Sequence, residues 1–367
     1  MGRRAVCLLP GKIDVRPSKL YSVDRNLCFL RGGALKRKKA MHLELKNIHK
    51  SFGKHHVLKG ISLEAESGHA FGYLGRNGAG KTTTIRILMD VFRADAGEIL
   101  LDGKPLRESP VSIGYLPEEK GLYPKSSLLR QMCYLGELRG LSSHEARNAA
   151  LSWLERLGMI ELKDHKLDTL SKGNQQKIQL AVALITKPSL IVLDEPFSGL
   201  DPVNAKMLKD IVTEEVQAGN LVFFSSHQMS YVESFCEDIA LLKDGEVVVQ
   251  GKIRDIRARW PRDRYEVRLH QENQLLSPKE CTELLRRLAA GGKIGNEVTA
   301  IEEGQTGAIL QLSQASDDRQ LLQELVSQSL GIDHFAVLEP SLEEIFVHYS
   351  GDEKEAQGGA ANEVTEK

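Results

Sequence analysis

The sequence is short of paired cysteines. Its five cysteines, Cys7, Cys28, Cys133, Cys236 and Cys281, are scattered through 367 residues, odd in number and without a CxxC pair. That spacing supports neither a zinc site nor a disulfide framework, and a reducing cytosol suits it best. No apolar run is long enough to cross a bilayer, so any membrane passage has to come from another chain. Neither charge is in excess: 49 Lys and Arg face 50 Asp and Glu, a formal net charge of −1. Nucleic acid is therefore not expected as the main partner. No heptad repeat is sustained, which excludes a long coiled coil. Arg3-Arg4 is followed only by the short apolar stretch Val6 to Leu9, too little for a signal peptide.

What is present is ordinary in composition, 41% hydrophobic and 27% charged, with length for two or three domains. One stretch organises it. Gly75-Arg76-Asn77-Gly78-Ala79-Gly80-Lys81-Thr82, followed by Thr83, reads G-x-x-x-x-G-K-T. An apolar run, Ala70 to Leu74, precedes it, and helical spacing (Ile85, Leu88, Met89) follows. A strand that delivers a glycine-rich loop into a helix wraps backbone N–H groups and a positive helix end around phosphates. Side chains at Gly78 or Gly80 are expected to block that approach. Lys81 then reaches the β- and γ-phosphates, and the Thr82 hydroxyl can ligate Mg²⁺. The competing reading, a glycine turn with a chance lysine, is disfavoured by the flanking strand and helix.

Residues 1–40 carry no sustained period and are expected to be an unstructured extension. Their basic run, Lys36 to Lys39, is read as a solvated tail in preference to a contact with anionic membrane or nucleic acid. Translation is expected to start at Met41, where patterning begins; peptides from 1–40 in the native protein would refute that. Leu43 to Leu45 and Val57 to Leu63 read as strands around a Gly53-Lys54 turn, with Phe52 before it. Phe52 either stacks on a purine or packs at a strand end, and alone the packing reading is preferred. Glu98 to Leu101 and Ile113 to Leu116 read as further strands, the latter running through Pro117 to Glu118 and Glu119. About 120–168 is a mostly helical insert (Leu128, Met132, Leu135; Ala146, Ala150, Leu154, Leu157).

Ser171 is a plausible cap for a helix carrying Ile178, Ala181, Val182 and Ile185. Leu190 to Leu193 reads as a buried parallel strand ending in Asp194-Glu195. Two carboxylates there are costly unless paired or metal-bound. Ligands of open α/β sheets bind at strand C-terminal ends, so Asp194 is expected to hold Mg²⁺ and Glu195 to polarise water. Leu221 to Phe224 is another buried strand ending in Ser225-Ser226-His227, and Asp244-Gly245 turns a hairpin.

Together, residues 43–260 resemble the ATP-binding subunits of ABC transporters. Gly75 to Thr82 resembles the Walker A loop, Leu193-Asp194-Glu195 the Walker B strand, and Ser198 to Asp201 the D-loop. The resemblance implies Glu195 as the catalytic glutamate, Lys81 and His227 as contacts of the γ-phosphate, and Phe52 as the adenine-stacking aromatic, reversing the preference above. Leu170 to Asn174 occupies the position of the LSGGQ signature, with Lys172 and Asn174 replacing a glycine and the glutamine. Ser171 and the Gly173 N–H are still expected to reach an ATP held by a second subunit. Glu118 stands where the family has the Q-loop glutamine, so an oxygen for Mg²⁺ is kept and the amide donors are lost. An export-type branch that includes sodium-extrusion (Nat-type) subunits resembles this Pro117-Glu118-Glu119 and Leu170-Ser171-Lys172-Gly173-Asn174 pairing.

The implied fold is a P-loop NTPase of the ABC type, α/β with a helical subdomain, over 41–262. Residues 263–349 break from that pattern. Their β-α-β-β-α-β order resembles a ferredoxin-like α+β unit with no catalytic constellation. Residues 350–367 are expected to be disordered. The expectation is an ATP- and Mg²⁺-dependent ATPase, working as a homodimer on a separate multi-span permease, peripheral at the cytoplasmic face of the membrane. The alternative is a soluble ABC ATPase acting on ribosomes or nucleic acid. Ribosomal ones usually carry two cassettes and DNA-repair ones a long coiled coil, and this chain has neither.

Overall fold

The computed structural model describes residues 40–119, 121–271, 274–292, 294, 298–313, 318–328 and 330–350. The expectations for residues 1–39 and 351–367 lie outside the described residues. The chain divides into two compact units, one ending at Ile253 and the other spanning 254–348. The division falls earlier than the 262/263 boundary drawn from the sequence.

The first unit begins with an antiparallel hairpin, β1 (His42–Phe52) and β2 (His55–Glu66), turning at Gly53-Lys54. Its leucines and isoleucines alternate inward, as a half-buried sheet requires. β3 (Ala70–Gly75) is buried at all six residues and runs into α1 (Lys81–Leu88). β4 (Ala96–Leu101) and the two-residue β5 (Lys104–Pro105) complete a sheet of order β2-β1-β4-β5. β6 (Ile113–Leu116) leads to the helices α2 (Leu128–Leu138) and α3 (Ser143–Arg156), the latter started by a Ser142/Glu145 capping box.

α4 (Lys172–Leu184), β7 (Leu190–Asp194), α5 (Pro202–Gln217), β8 (Leu221–Ser226) and α6 (Met229–Glu233) follow. The hairpin β9 (Asp238–Lys243) and β10 (Glu246–Lys252) ends the series. The second sheet has the order β10-β9-β3-β8-β7-β6 and is parallel from β9 to β6. Its middle strands are buried along their whole length and apolar up to their C-terminal ends, because both faces are covered. No described helix is long and apolar enough to cross a membrane.

The β9–β10 turn has a structural duty beyond reversing the chain. Asp244 (φ +49°) and Gly245 (φ +84°) are both left-handed, the geometry of a tight hairpin. The Gly245 N–H donates to the Ala79 carbonyl (3.1 Å) and its carbonyl accepts from the Lys59 N–H (2.8 Å). The turn thus braces the loop before α1. A Cβ on Gly245 would lie 2.2 Å from the Val57 carbonyl oxygen. Gly245→Ala is expected to destabilise the protein by at least about 3 kcal/mol, combining strain and clash. A urea midpoint equal to wild type would contradict this.

The second unit opens with α7 (starting one residue earlier, Ile253–Ala258), then β11 (Arg264–Gln271), the short β12 (Gln274–Leu275) and α8 (Pro278–Ala290). β13 (Val298–Glu303), β14 (Ala308–Leu312), α9 (Asp318–Ser327), β15 (Gly331–Val337) and α10 (Leu342–Ser350) complete it. β11 lies between β15 and β14, with β13 beyond β14, all antiparallel. This is the order of a ferredoxin-like sheet. Tyr265, Val267, Leu269, Cys281, Leu285, Ala308, Leu310 and Leu325 form its core. α10 includes Ser350, where the sequence reading had begun the tail.

Candidate functional site

The site follows from strand register. In the parallel sheet Leu116 pairs with Leu193, Asp194 with Ser225, and Leu74 with Ser226. Glu118 comes two residues beyond Leu116, near enough for its charge to act on Asp194, and His227 comes one residue beyond Ser226. The Glu118 loop, the two carboxylates, the Ser225–His227 corner and the glycine loop therefore meet along one edge, at the strands' C-terminal ends.

Lys81 is 5% exposed. Its Nζ donates to the carbonyls of Gly75 (2.7 Å) and Arg76 (3.3 Å) and forms an ion pair with Glu195 Oε1 at 3.3 Å. Glu195, 4% exposed, faces His227 Nδ1 through its other oxygen at 2.8 Å. Its backbone is left-handed at φ +49°, a strained conformation for a side chain of this size. The Ser225 carbonyl and hydroxyl hold it there, each accepting from the Glu195 N–H at 3.2 Å. The same Ser225 hydroxyl donates to Asp194 Oδ1 at 2.5 Å. Sequence reading noted Ser225 only as a strand end; a polar residue closing an apolar strand was the available signal.

Asp194 is fully buried, and its Oδ2 has no hydrogen-bond partner. Burial pushes its carboxyl up to about 6. The charges of Glu118 and Glu195 add to that, and the Ser225 and Thr82 hydroxyls oppose it. An acid whose folded pKa lies above its unfolded value, here near 3.8, binds protons on folding. Stability is then lost as pH rises from about 4 through 6, by roughly 3 kcal/mol in full. In EDTA and without nucleotide, Asp194→Asn is expected to raise the denaturation midpoint at about pH 7.5, the gain fading as pH falls through 6. Parallel pH profiles for the two proteins would refute the assignment.

The orphaned Asp194 oxygen, with the Thr82 hydroxyl near it, is an all-oxygen donor set that fits a hard divalent cation such as Mg²⁺. Among the described residues no group of three or more His, Cys, Asp or Glu is arranged to hold a metal alone. A cation here would share its shell with the bound phosphates.

The glycine loop is also constrained from the protein side. Gly80 is left-handed (φ +111°), and a Cβ there would lie 2.6 Å from Leu58 Cδ2, on the protein side. Gly78 (φ +83°) has open space around it. The glycines are required by backbone conformation and, at Gly80, by internal packing. Arg76, Asn77 and Gly78 are exposed, Ala79 is buried, and Thr82 and Thr83 are half-buried.

Ser171, Gly173 and Asp201 form a second group. Ser171 caps α4 by accepting from the Asn174 N–H (3.3 Å). Gly173 is buried so tightly that a Cβ would lie 2.5 Å from Asn204 Nδ2. Asn204 in turn donates to Asp201, the cap of α5, through its backbone N–H (2.9 Å) and its side chain. Those contacts hold Asp201 below the usual carboxylate range. Gln176 ties α4 to the Pro196 carbonyl (3.3 Å). Among the described residues, these hydrogen bonds lie within the start of α4, the Pro196 loop and the start of α5. Phe52, at the end of β1, is 49% exposed and meets Phe92 edge-on.

Comparisons with known proteins agree with this geometry. Residues 58–198 match the family described as ABC transporter, and residues 251–350 match the C-terminal domain of DrrA1-3-like ATP-binding proteins. The uncharacterised ABC transporter ATP-binding protein YhaQ of Bacillus subtilis is 38% identical over 273 residues, 72% of this chain and 91% of that protein. The linearmycin resistance ATP-binding protein LnrL of the same organism is 34% identical over 221 residues, 59% of this chain and 71% of that one. A solved ATP-binding subunit of an ABC transporter superposes with a TM-score of 0.55 at 28% identity, covering 59% of this chain and 92% of that one. By that identity and coverage, and by this fold, the chain belongs to the ATP-binding proteins of ABC transporters, a family of ATPases.

Proposed function

We propose that the protein is the ATP-hydrolysing subunit of an export-type ABC transporter, acting as a pair of copies on a separate multi-span permease at the cytoplasmic face of the membrane. The observation that carries the pairing is the separation of the two residue groups. Glu195 is joined to Lys81 and to His227, with Asp194 held beside it by Ser225, while Gly173 packs against Asn204 of the Asp201 segment and Ser171 caps its own helix. Each ATP would then be shared between the Lys81 loop of one copy and the Ser171 segment of the other.

In this reading Gly75 to Thr83 wrap the phosphates and Phe52 stacks on adenine. Lys81 exchanges its contact with Glu195 for phosphate oxygens, which leaves Glu195 to accept a proton from the attacking water. His227, already in line with Glu195, steadies the γ-phosphate. Thr82 and Asp194, with Glu118 supplying a further oxygen, would hold Mg²⁺. When bound, that ion screens the charge of the β- and γ-phosphates. Closure of the pair assembles the site, and phosphate release reopens it.

Residues 263–349 serve as an accessory, regulatory or dimer-supporting domain. The Glu118–Gly140 stretch passes movement to the permease. Sodium ions are the cargo suggested by resemblance to sodium-extrusion subunits. The relative named for linearmycin resistance supports a second reading, export of an antibiotic.

The test is an affinity pull-down of tagged protein from detergent-solubilised membranes, with ATPase activity assayed on the eluate. A polytopic membrane protein that changes the ATPase rate is expected. Ribosomes or DNA without a membrane partner would move the function to the soluble class.

A further inference from the structure

An aromatic outside every motif braces the base end of the site. Phe52 keeps half its surface open, whereas a core aromatic would be enclosed. The ring of Phe92 meets it at 89°, with centroids 5.5 Å apart. That is the edge-to-face arrangement favoured by the ring quadrupoles. Lys50 Nζ lies 5.6 Å from both centroids. It is tied down by the Arg93 carbonyl (2.8 Å) and Asp95 Oδ1 (2.7 Å), while Asp95 Oδ2 accepts from the Ser51 N–H (2.6 Å). The end of β1 and the segment 92–95 are thus laced together around the two rings.

Position gives this lacing a consequence. α1 has eight residues, about 12 Å of rise. The phosphate-binding loop lies at its N-terminal end, and Phe92 follows shortly after its C-terminal end. A single short helix therefore connects the anion site to the brace behind Phe52.

We propose that Phe92 is a positioning residue that holds the Phe52 ring for the nucleobase, so that it governs affinity for the base and leaves the phosphate contacts alone. This rests on the reading that Phe52 stacks on adenine. The orientation is fixed before the nucleotide arrives, so the base does not have to order a free ring on binding.

The experiment measures binding of Mg-ATP and of inorganic tripolyphosphate with Mg²⁺, plus steady-state ATPase kinetics, for wild type, Phe92→Ala, Phe92→Trp and Phe52→Ala. Phe92→Ala is expected to weaken ATP about five- to tenfold, to leave tripolyphosphate unchanged, and to raise KM with kcat held. Phe92→Trp, which keeps an aromatic edge, restores ATP affinity. Phe52→Ala weakens ATP at least as much as Phe92→Ala. If Phe92→Ala weakens ATP and tripolyphosphate equally, Phe92 is only structural and the proposal falls. It also falls if Phe92→Ala matches wild type while Phe52→Ala is impaired. If Phe52→Ala binds ATP normally, the stacking reading itself is overturned, and this proposal with it.

Discussion

Glu195→Gln is expected to stop ATP turnover while ATP stays bound. The substitution keeps the side chain's size in a pocket where Glu195 is almost fully buried and its strained backbone is held by Ser225. What it removes is the proton acceptor. A positioned general base contributes about 10²- to 10⁴-fold, and the loss should fall in kcat. Removing a negative charge beside a triphosphate also favours binding. In the presence of ATP the variant should therefore accumulate as a closed pair, seen as a dimer by size exclusion. Hydrolysis at the wild-type rate would remove Glu195 from the role of base.

Lys81→Ala should show the opposite pattern, with binding lost first. The ammonium of Lys81 is buried, fixed by two backbone carbonyls and paired with Glu195. Its loss takes away a charge-assisted contact that the loop can give the terminal phosphates. ATP affinity is expected to fall by about 100-fold or more. It also leaves the Glu195 carboxylate buried with only His227 opposite. The nucleotide-free variant should then be less stable by up to about 3–5 kcal/mol, the range for breaking a buried pair. Lys81→Arg is not expected to rescue, because the broader guanidinium does not match two carbonyls in so closed a pocket. ATP binding by Lys81→Ala close to wild type would refute the phosphate role.

The chemistry of the site was legible wherever it is local. Glycine spacing, the apolar run before Gly75 and the helical period after it define the loop. The run Leu190–Leu193 marks a buried strand with acids at its end. The C-terminal strand and helix order could likewise be read from period alone. Lateral neighbours could not. Nothing in the residues around Asp194 says that Ser225 is beside it, or that the charge of Glu118 reaches it; parallel register arises from connections that run through helices. The packing of Gly80 against Leu58 was hidden for the same reason, since Leu58 comes from β2, far away in the chain. Phe92 passed unnoticed because a lone aromatic after a helix has no pattern to announce it.

The central position of β3 bears on how the protein is made. Its two sheet neighbours are β8 and β9, both far downstream, and the brace on Ala79 comes from Gly245. The antiparallel sheet, by contrast, draws only on residues 42–105 and can close early. A ribosome that has released the whole glycine loop has therefore released a strand without partners. The strand neighbours of the binding loop, and the Gly245 brace on it, are complete only after the β9–β10 turn has emerged. Until then the apolar β3 is a segment for chaperones to shield, and the nucleotide pocket matures late in synthesis despite being encoded early.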